Sequence, residues 1–356
     1  YQFDGKLKKA VGQLWGTAQQ QQAPLLFQQV KREVTATTTK EGKVIEEKVV
    51  MTDNYPAILG GSSINVKIKL DQRKKGLLWY SVYKVAFDGK YLIKNPSAEE
   101  AYYLFEYTFP ASDGVYDNFT MKIGGVPVED LKPAAGKISE LIRLDPGGEK
   151  SVEIAYQSQG MDEWWYNFGK DVSQTKNFSL TMETDFKKID FPENSISPVS
   201  KRETSQGWAL EWSYTNLLSG IQIGMKMPQK INPGPFVSKV TYFAPVSLFL
   251  FMFLMFIITA VKKVNIHPMN YFFIACAFFS FHLLMAYLAD LVNLTLAFVI
   301  SSAVSIFLVI SYMRIVAGVR FALVETGISQ LVYLILFSYA FFLEGYTGLA
   351  ITIACV

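Results

Sequence analysis

Residues 240–261, VTYFAPVSLFLFMFLMFIITAV, carry no charged side chain, and their reading decides the rest. At 1.5 Å per residue, about 22 residues cross a hydrocarbon core of roughly 30 Å. Lys262 and Lys263 stop the run. After them, apolar runs recur at 268–289, 291–313, 326–343 and 345–356, joined by short connections. Before residue 240 the apolar residues follow a different period. The expectation is therefore a multi-pass α-helical membrane protein with a large extracytoplasmic domain, mostly antiparallel β and sandwich-like. Its divisions are an amphipathic juxtamembrane helix and linker at 1–23, a β-rich domain at 24–239, and a transmembrane bundle at 240–356. The chain starts at Tyr1, and its last run is only about 12 residues, too short to span. Both ends are expected to continue, with a membrane segment upstream of Tyr1.

Composition supports the split. The whole chain is 50% hydrophobic and 18% charged with net charge +3, an average of two unlike halves. Four of the 34 Lys and Arg and three of the 31 Asp and Glu follow Lys239, which leaves 30 basic and 28 acidic residues in 1–239. That near-neutral balance gives no support to a nucleic-acid surface, which needs a concentrated basic footprint. Cys276, Cys355, His267 and His282 all lie after residue 239. The β domain therefore lacks Ser-His-Asp and Cys-His nucleophile pairs and the usual His or Cys zinc sets. No glycine-rich phosphate loop, G-x-S-x-G or H-E-x-x-H occurs in the sequence. The chain reads as non-enzymatic, with no cofactor and no metal site.

In residues 1–16, Phe3, Leu7, Val11, Leu14 and Trp15 recur at helical spacing between lysines. This suits an amphipathic helix leaving a membrane surface or an ordinary helix at a domain edge. Gln19 to Gln22, Ala23 and Pro24 break the pattern. From Pro24 onward at least ten segments alternate apolar and polar residues between Gly, Pro, Asn and Asp, the period-two pattern of strands. Only 99–103 and 129–137 read as short helices. A seam near the Asn95-Pro96-Ser97 turn would make the domain two lobes.

Lys262, Lys263 and His267 fall in the first connection between runs and Arg314 and Arg320 in the third, whereas the second holds Asp290 and the fourth Glu344. Lys239, at the other end of the first run, is the single dissenting charge. The positive-inside rule puts the lysine- and arginine-bearing connections in the cytoplasm and the β domain outside it.

The aromatic cluster Trp164-Trp165-Tyr166 is the best candidate for a glycan- or lipid-stacking surface. Consecutive strand residues face opposite sides, so one of the three should be exposed. Asp162 with Glu163, and Glu183 with Asp185, fit paired carboxylates by spacing but read better as solvated turn and strand charges. Asn118-Phe119-Thr120 and Asn177-Phe178-Ser179 fit a glycosylation pattern common by chance. His282 lies deep in an apolar run, where a polar side chain faces a neighbouring helix or serves as a proton relay. Arg314, Arg320 and Glu325 read as interface anchors in a loop.

From Ile266 the sequence reads His267-Pro268-Met269-Asn270-Tyr271, with Lys201-Arg202-Glu203 and Gly207-Trp208-x-x-x-Trp212 upstream and Arg73-Lys74-x-Gly76 earlier. These runs, and the order of segments, resemble the bacterial inner-membrane CreD family, the colicin-tolerance and cell-envelope-integrity proteins. The stretch 102–166 departs most from that pattern. The resemblance implies a protein of the bacterial inner membrane and the envelope-stress response, linked in the family to a two-component regulon and the β-lactam response. It implies no established enzymatic activity and supplies no catalytic residues. His267, Pro268, Met269 and Tyr271 carry over as a structural signature at a helix start, where Pro is tolerated.

The leading expectation is an envelope protein whose periplasmic domain binds envelope material or a protein partner, with membrane lipid around its bundle and a second copy as another possible partner. A second reading is a membrane subunit of a transport or extrusion machine with the layout of a mechanotransmitting ABC permease. A third is a membrane-embedded enzyme using His282 or the Arg314, Arg320 and Glu325 group.

Overall fold

The computed structural model describes residues 11–40, 43–76, 78–169, 172–343 and 346–355. It divides into two compact units, one of residues 1–73 and 80–230, the other of 74–79 and 231–356. Phe3 and Leu7 of the expected first helix lie outside the described residues, as do Glu344 and Gly345; residues 11–15 are helical.

The strands are β1 (Gln19–Gln22), β2 (Leu25–Lys40), β3 (Lys43–Ala57), β4 (Gly61–Leu70), β5 (Arg73–Lys75), β6 (Leu78–Tyr80), β7 (Val82–Lys94), β8 (Ala101–Thr108) and β9 (Tyr116–Ile123). They continue with β10 (Val126–Pro127), β11 (Lys137–Leu144), β12 (Glu149–Met161), β13 (Glu163–Asn167), β14 (Ser173–Thr184), β15 (Ser200–Glu203), β16 (Trp208–Ser219) and β17 (Ile223–Lys226). An eight-stranded sheet has the order β10-β9-β12-β7-β4-β14-β16-β15, a four-stranded sheet β11-β8-β2-β3, and a three-stranded sheet β1-β13-β17. Within these three, β1 with β13 and β4 with β14 are parallel, and the other pairs are antiparallel.

Alternation explains the burial. Ile64, Val66 and Ile68 of β4 point inward together, as do Val85, Phe87, Tyr91 and Ile93 of β7. One apolar cluster takes residues from all three larger sheets, among them Ile64, Leu26, Phe105 and Trp164. Phe87 stacks on Tyr156 at 5.0 Å, and Tyr91 meets Phe105 at 6.0 Å. Ile93 and Ala101 share that cluster, so the core does not divide near residue 95. Asn95 is itself buried, and its Nδ2 donates to the carbonyls of Glu99 at 2.8 Å and Asp145 at 3.1 Å.

Both short helices expected within the β domain are corrected. Residues 101–108 form β8, where Ala101, Tyr103, Phe105 and Tyr107 are buried at period two. Between 129 and 137 the chain makes an isolated bridge of Ala134 with Lys137, and Ala135 and Gly136 both have positive φ, which a right-handed helix cannot accommodate. The glutamine tract is also corrected: Gln19–Gln22 is a strand, with Gln19 and Gln21 buried. The Gln21 Oε1 accepts from Tyr107 at 2.6 Å and from Tyr156 at 2.9 Å, while the Gln19 Nε2 donates to Ser158 Oγ at 2.6 Å. Partnered amides can sit in a core that rejects unpartnered ones.

In the helical unit α1 is Pro233–Tyr242, α2 Ala244–Val261, α3 Pro268–Leu288 and α4 Leu294–Ala317; a continuous span α5, Val319–Phe342, follows, and then α6, Thr347–Cys355. Four of them, α2 to α5, are long and apolar enough to cross a membrane. The first apolar run is divided at Phe243, and Pro245 stands in the opening turn of α2, where its missing N–H costs no helical bond. The last full span starts at Val319 rather than residue 326. Arg320 and Glu325 therefore lie in helix and Arg314 in the last turn of α4, not in a loop; only Gly318 separates the two helices. Residues 322–326 and 331–336 take π-helical turns.

Candidate functional site

The outward face of the eight-stranded sheet carries a groove built from strand alternation. Lys69 of β4 stands directly opposite Lys84 of β7, which in turn faces Gln159 of β12. One row along, Lys67, Ala86 and Gln157 line up, and beyond them Asn65, Asp88 and Ala155. Ala86 and Ala155 leave low ground between longer side chains. Three adjoining hollows result, of about 560, 290 and 360 Å³, and all of them include Lys67. The largest is in the range of small-ligand sites.

That hollow is walled by residues 12–16 together with Asp113, Val115 and Asp117. The wall is fixed to the sheet. The Gln159 Nε2 donates to the Trp15 carbonyl at 2.8 Å, and Met161 N donates to the Thr17 carbonyl at 3.2 Å. Gly16 has φ +91°, and a Cβ there would come within 2.2 Å of the Gln159 carbonyl oxygen, so no other residue fits. The Trp15 ring meets Tyr80 edge-on at 6.1 Å, and the Arg73 guanidinium lies 5.7 Å from its centre. Arg73 is held by Asp71 Oδ2 at 2.6 Å and by Gln159 Oε1 at 3.3 Å.

The charges of the groove are unequal. Lys67 pairs with Glu183 at 3.2 Å, and Lys90, further along, with Glu153 at 2.8 Å. Hydrogen bonding to Glu153 raises the pKa of Lys90, and the same bond lowers that of Glu153. Lys69 and Lys84 have no carboxylate within ion-pair distance among the described residues. Among the described residues no three His, Cys, Asp or Glu side chains are grouped to hold a metal.

The residues singled out from sequence are dispersed. Trp164 and Tyr166 are buried in the core. Trp165 faces the other way and is half-buried, its Nε1 donating to Glu163 Oε2 at 3.0 Å, so the three make no open stacking surface. Asp162 precedes β13 and Glu163 opens it; Glu183 is spent on Lys67, and Asp185 accepts from Leu70 N at 2.8 Å. The sequence reading missed the groove. Its visible signal was Lys67 and Lys69 at period two, but the opposition of Lys69 to Lys84 depends on register.

His282 is 2% exposed and ringed by Phe278, Phe279 and Phe281, with neither nitrogen hydrogen-bonded. It lies about 21 Å along α3 from Pro268 at 1.5 Å per residue. Glu325 instead bonds Lys262, at the end of α2, and Arg314 and Arg320 are exposed. Nothing groups His282 with these three. One turn before His282, the carbonyls of Ala277 and Phe278 accept from Ser305 Oγ at 2.9 and 3.3 Å, and Gln330 Nε2 donates to that hydroxyl at 2.9 Å, tying α3, α4 and α5.

The signature residues have structural work. His267 caps α3, its Nδ1 accepting from Met269 N at 3.3 Å, and Pro268 takes the first helical position. Tyr271 Oη and Thr259 Oγ1 lie 2.7 Å apart, joining α3 to α2, and Asn270 accepts from Tyr312 of α4 at 2.9 Å. Upstream, Lys201 lies 4.9 Å over the Trp208 ring and Glu203 pairs with Lys187 at 2.8 Å.

No curated protein matches the chain. Among solved structures, a candidate nutrient binding protein of Legionella pneumophila is similar at 10% identity and TM-score 0.34, over 52% of this chain and 71% of that one. The M1 zinc metallopeptidase of Deinococcus radiodurans is similar at 8% identity and TM-score 0.28, over 47% and 43%. Both scores are too low to bear on function. Residues 201–347, from β15 through the membrane-crossing helices, match the model of the family described as inner membrane protein CreD, and the chain is CreD-like on that evidence.

Proposed function

We propose that the chain is a non-enzymatic protein of bacterial cell-envelope integrity whose sandwich-like β domain lies in the periplasm and binds an envelope ligand or partner. The observation that carries this reading is the groove along Lys67, Ala86 and Gln157, with a wall that Gln159 anchors. Periplasmic placement is supported by Lys262, Lys263, Arg314 and Arg320, which cluster at the ends of α2, α4 and α5. Imidazoles and thiols, the commonest nucleophilic and proton-transfer groups, are absent from residues 1–239.

The test fills the groove. Ala86→Trp, on a row whose inward neighbours Val85 and Phe87 keep the core intact, should abolish complementation of the envelope-stress sensitivity of a strain lacking the protein, at unchanged membrane levels. Full complementation by that variant would refute the reading.

A membrane subunit of a transport or extrusion complex is the second reading, for which the layout of helices and head speaks. Against it, the segments joining spans on the lysine-bearing side are 262–267 and Gly318 alone, a small surface for coupling to a nucleotide-hydrolysing partner.

A further inference from the structure

The groove's largest hollow has a chemistry of its own. Lys69 and Lys84 are directly opposed on adjacent antiparallel strands, with backbones roughly 4.5–5.5 Å apart. Like charges so placed repel, and no carboxylate among the described residues comes within ion-pair distance of either. An anion bridging the two ammonium groups would. The wall of the hollow includes Trp15, whose ring is contacted by Arg73 and Tyr80 and whose carbonyl is held by Gln159, so its ring is pre-positioned. The same hollow is lined by Gln157, on the strand next to Lys84, and by the carboxylates of Asp113 and Asp117. Closely spaced donors and acceptors suit a hydroxyl-rich ligand rather than an acyl chain, and the two aspartates oppose a polyanion such as nucleic acid.

Building on the reading of the groove as a binding site, we infer that it takes an acidic saccharide, with a sugar ring on Trp15 and the carboxylate between Lys69 and Lys84. The cavity of about 560 Å³ suits a short oligosaccharide.

The experiment measures binding by calorimetry to the full chain in detergent, with cellobiouronic acid as the probe, cellobiose as its uncharged counterpart, and acetate and inorganic phosphate as bare anions. Saturable uronate binding is expected, at least tenfold tighter than cellobiose and weakened by salt. Lys69→Gln and Lys84→Gln should each weaken it at least fivefold and Trp15→Ala at least tenfold, while Lys90→Gln, outside the hollow, leaves it unchanged. The assignment is overturned if the uronate fails to bind, if cellobiose binds equally, if phosphate or acetate binds as well as the uronate, or if Lys69→Gln and Lys84→Gln bind like the parent. Because Trp15→Ala could loosen the wall, Trp15→Phe must retain part of the affinity. If Ala86→Trp abolishes complementation yet no uronate binds, this inference fails while the groove's role stands; if Ala86→Trp complements fully, the groove's role fails too.

Discussion

The carboxamide oxygen of Gln21 accepts the phenolic proton of Tyr156 at 2.9 Å inside the β domain, and the same atom takes that of Tyr107 at 2.6 Å. Replacing Gln21 with Leu keeps the volume but strands two buried hydroxyls, for an expected loss of about 2–4 kcal/mol. Urea unfolding of the purified chain, followed by tryptophan fluorescence, measures it. Adding Tyr107→Phe and Tyr156→Phe removes the stranded groups and should recover at least half the loss. No recovery would mean that Gln21 acts through packing alone.

The same cluster predicts alkaline behaviour. Burial raises the phenols of Tyr83, Tyr91, Tyr107, Tyr156 and Tyr166 far above the ordinary range, and pushes Tyr116 up to about 12. A phenol with a raised folded pKa keeps its proton where the unfolded chain releases it. The stability it contributes is therefore complete below about pH 10 and is lost as pH climbs toward the folded pKa. Absorbance at 295 nm should show the buried set ionising only as the domain unfolds. Full ionisation at pH 10 with the fold retained would contradict the burial.

Gly207 lies where β16 passes close to the end of β14. A Cβ there would stand 2.1 Å from the Thr184 carbonyl oxygen and 2.8 Å from Phe186 N, while Thr184 Oγ1 accepts from Trp208 N at 3.0 Å. Gly207→Ala must push β16 off that corner, at a cost of about 1–3 kcal/mol. Scanning fluorimetry should register the drop, together with weakened stacking of Lys201 on Trp208. An unchanged melting temperature would refute the close approach.

Local patterning was legible in the sequence, and contacts that depend on register were not. Strands and spans announced themselves through periods of two and through uncharged runs, because burial of side chains sets both. Gln19–Gln22 escaped notice because polarity normally marks the surface, and partners such as Tyr107, Tyr156 and Ser158, 86 to 139 residues away, make those amides welcome in a core. Trp15 gave no sign of its platform role, since its partners Arg73, Tyr80 and Gln159 come from three different strands. The opposition of Lys69 to Lys84 is likewise a fact of register, invisible until β4 and β7 are aligned.

The start of the last span was misplaced for an electrostatic reason. Glu325 looks too polar for a membrane helix, yet Lys262 reaches it from the end of α2, and its carboxylate is largely enclosed. Pairing lowers the cost of placing a carboxylate there. Glu325→Lys or Lys262→Glu alone sets like charges together and should lower the melting temperature of the detergent-solubilised chain by several degrees. The double exchange restores an attractive pair with its sign reversed, and should regain more than half of that loss in a double-mutant cycle. Additive losses in the double variant would show that the two side chains do not meet.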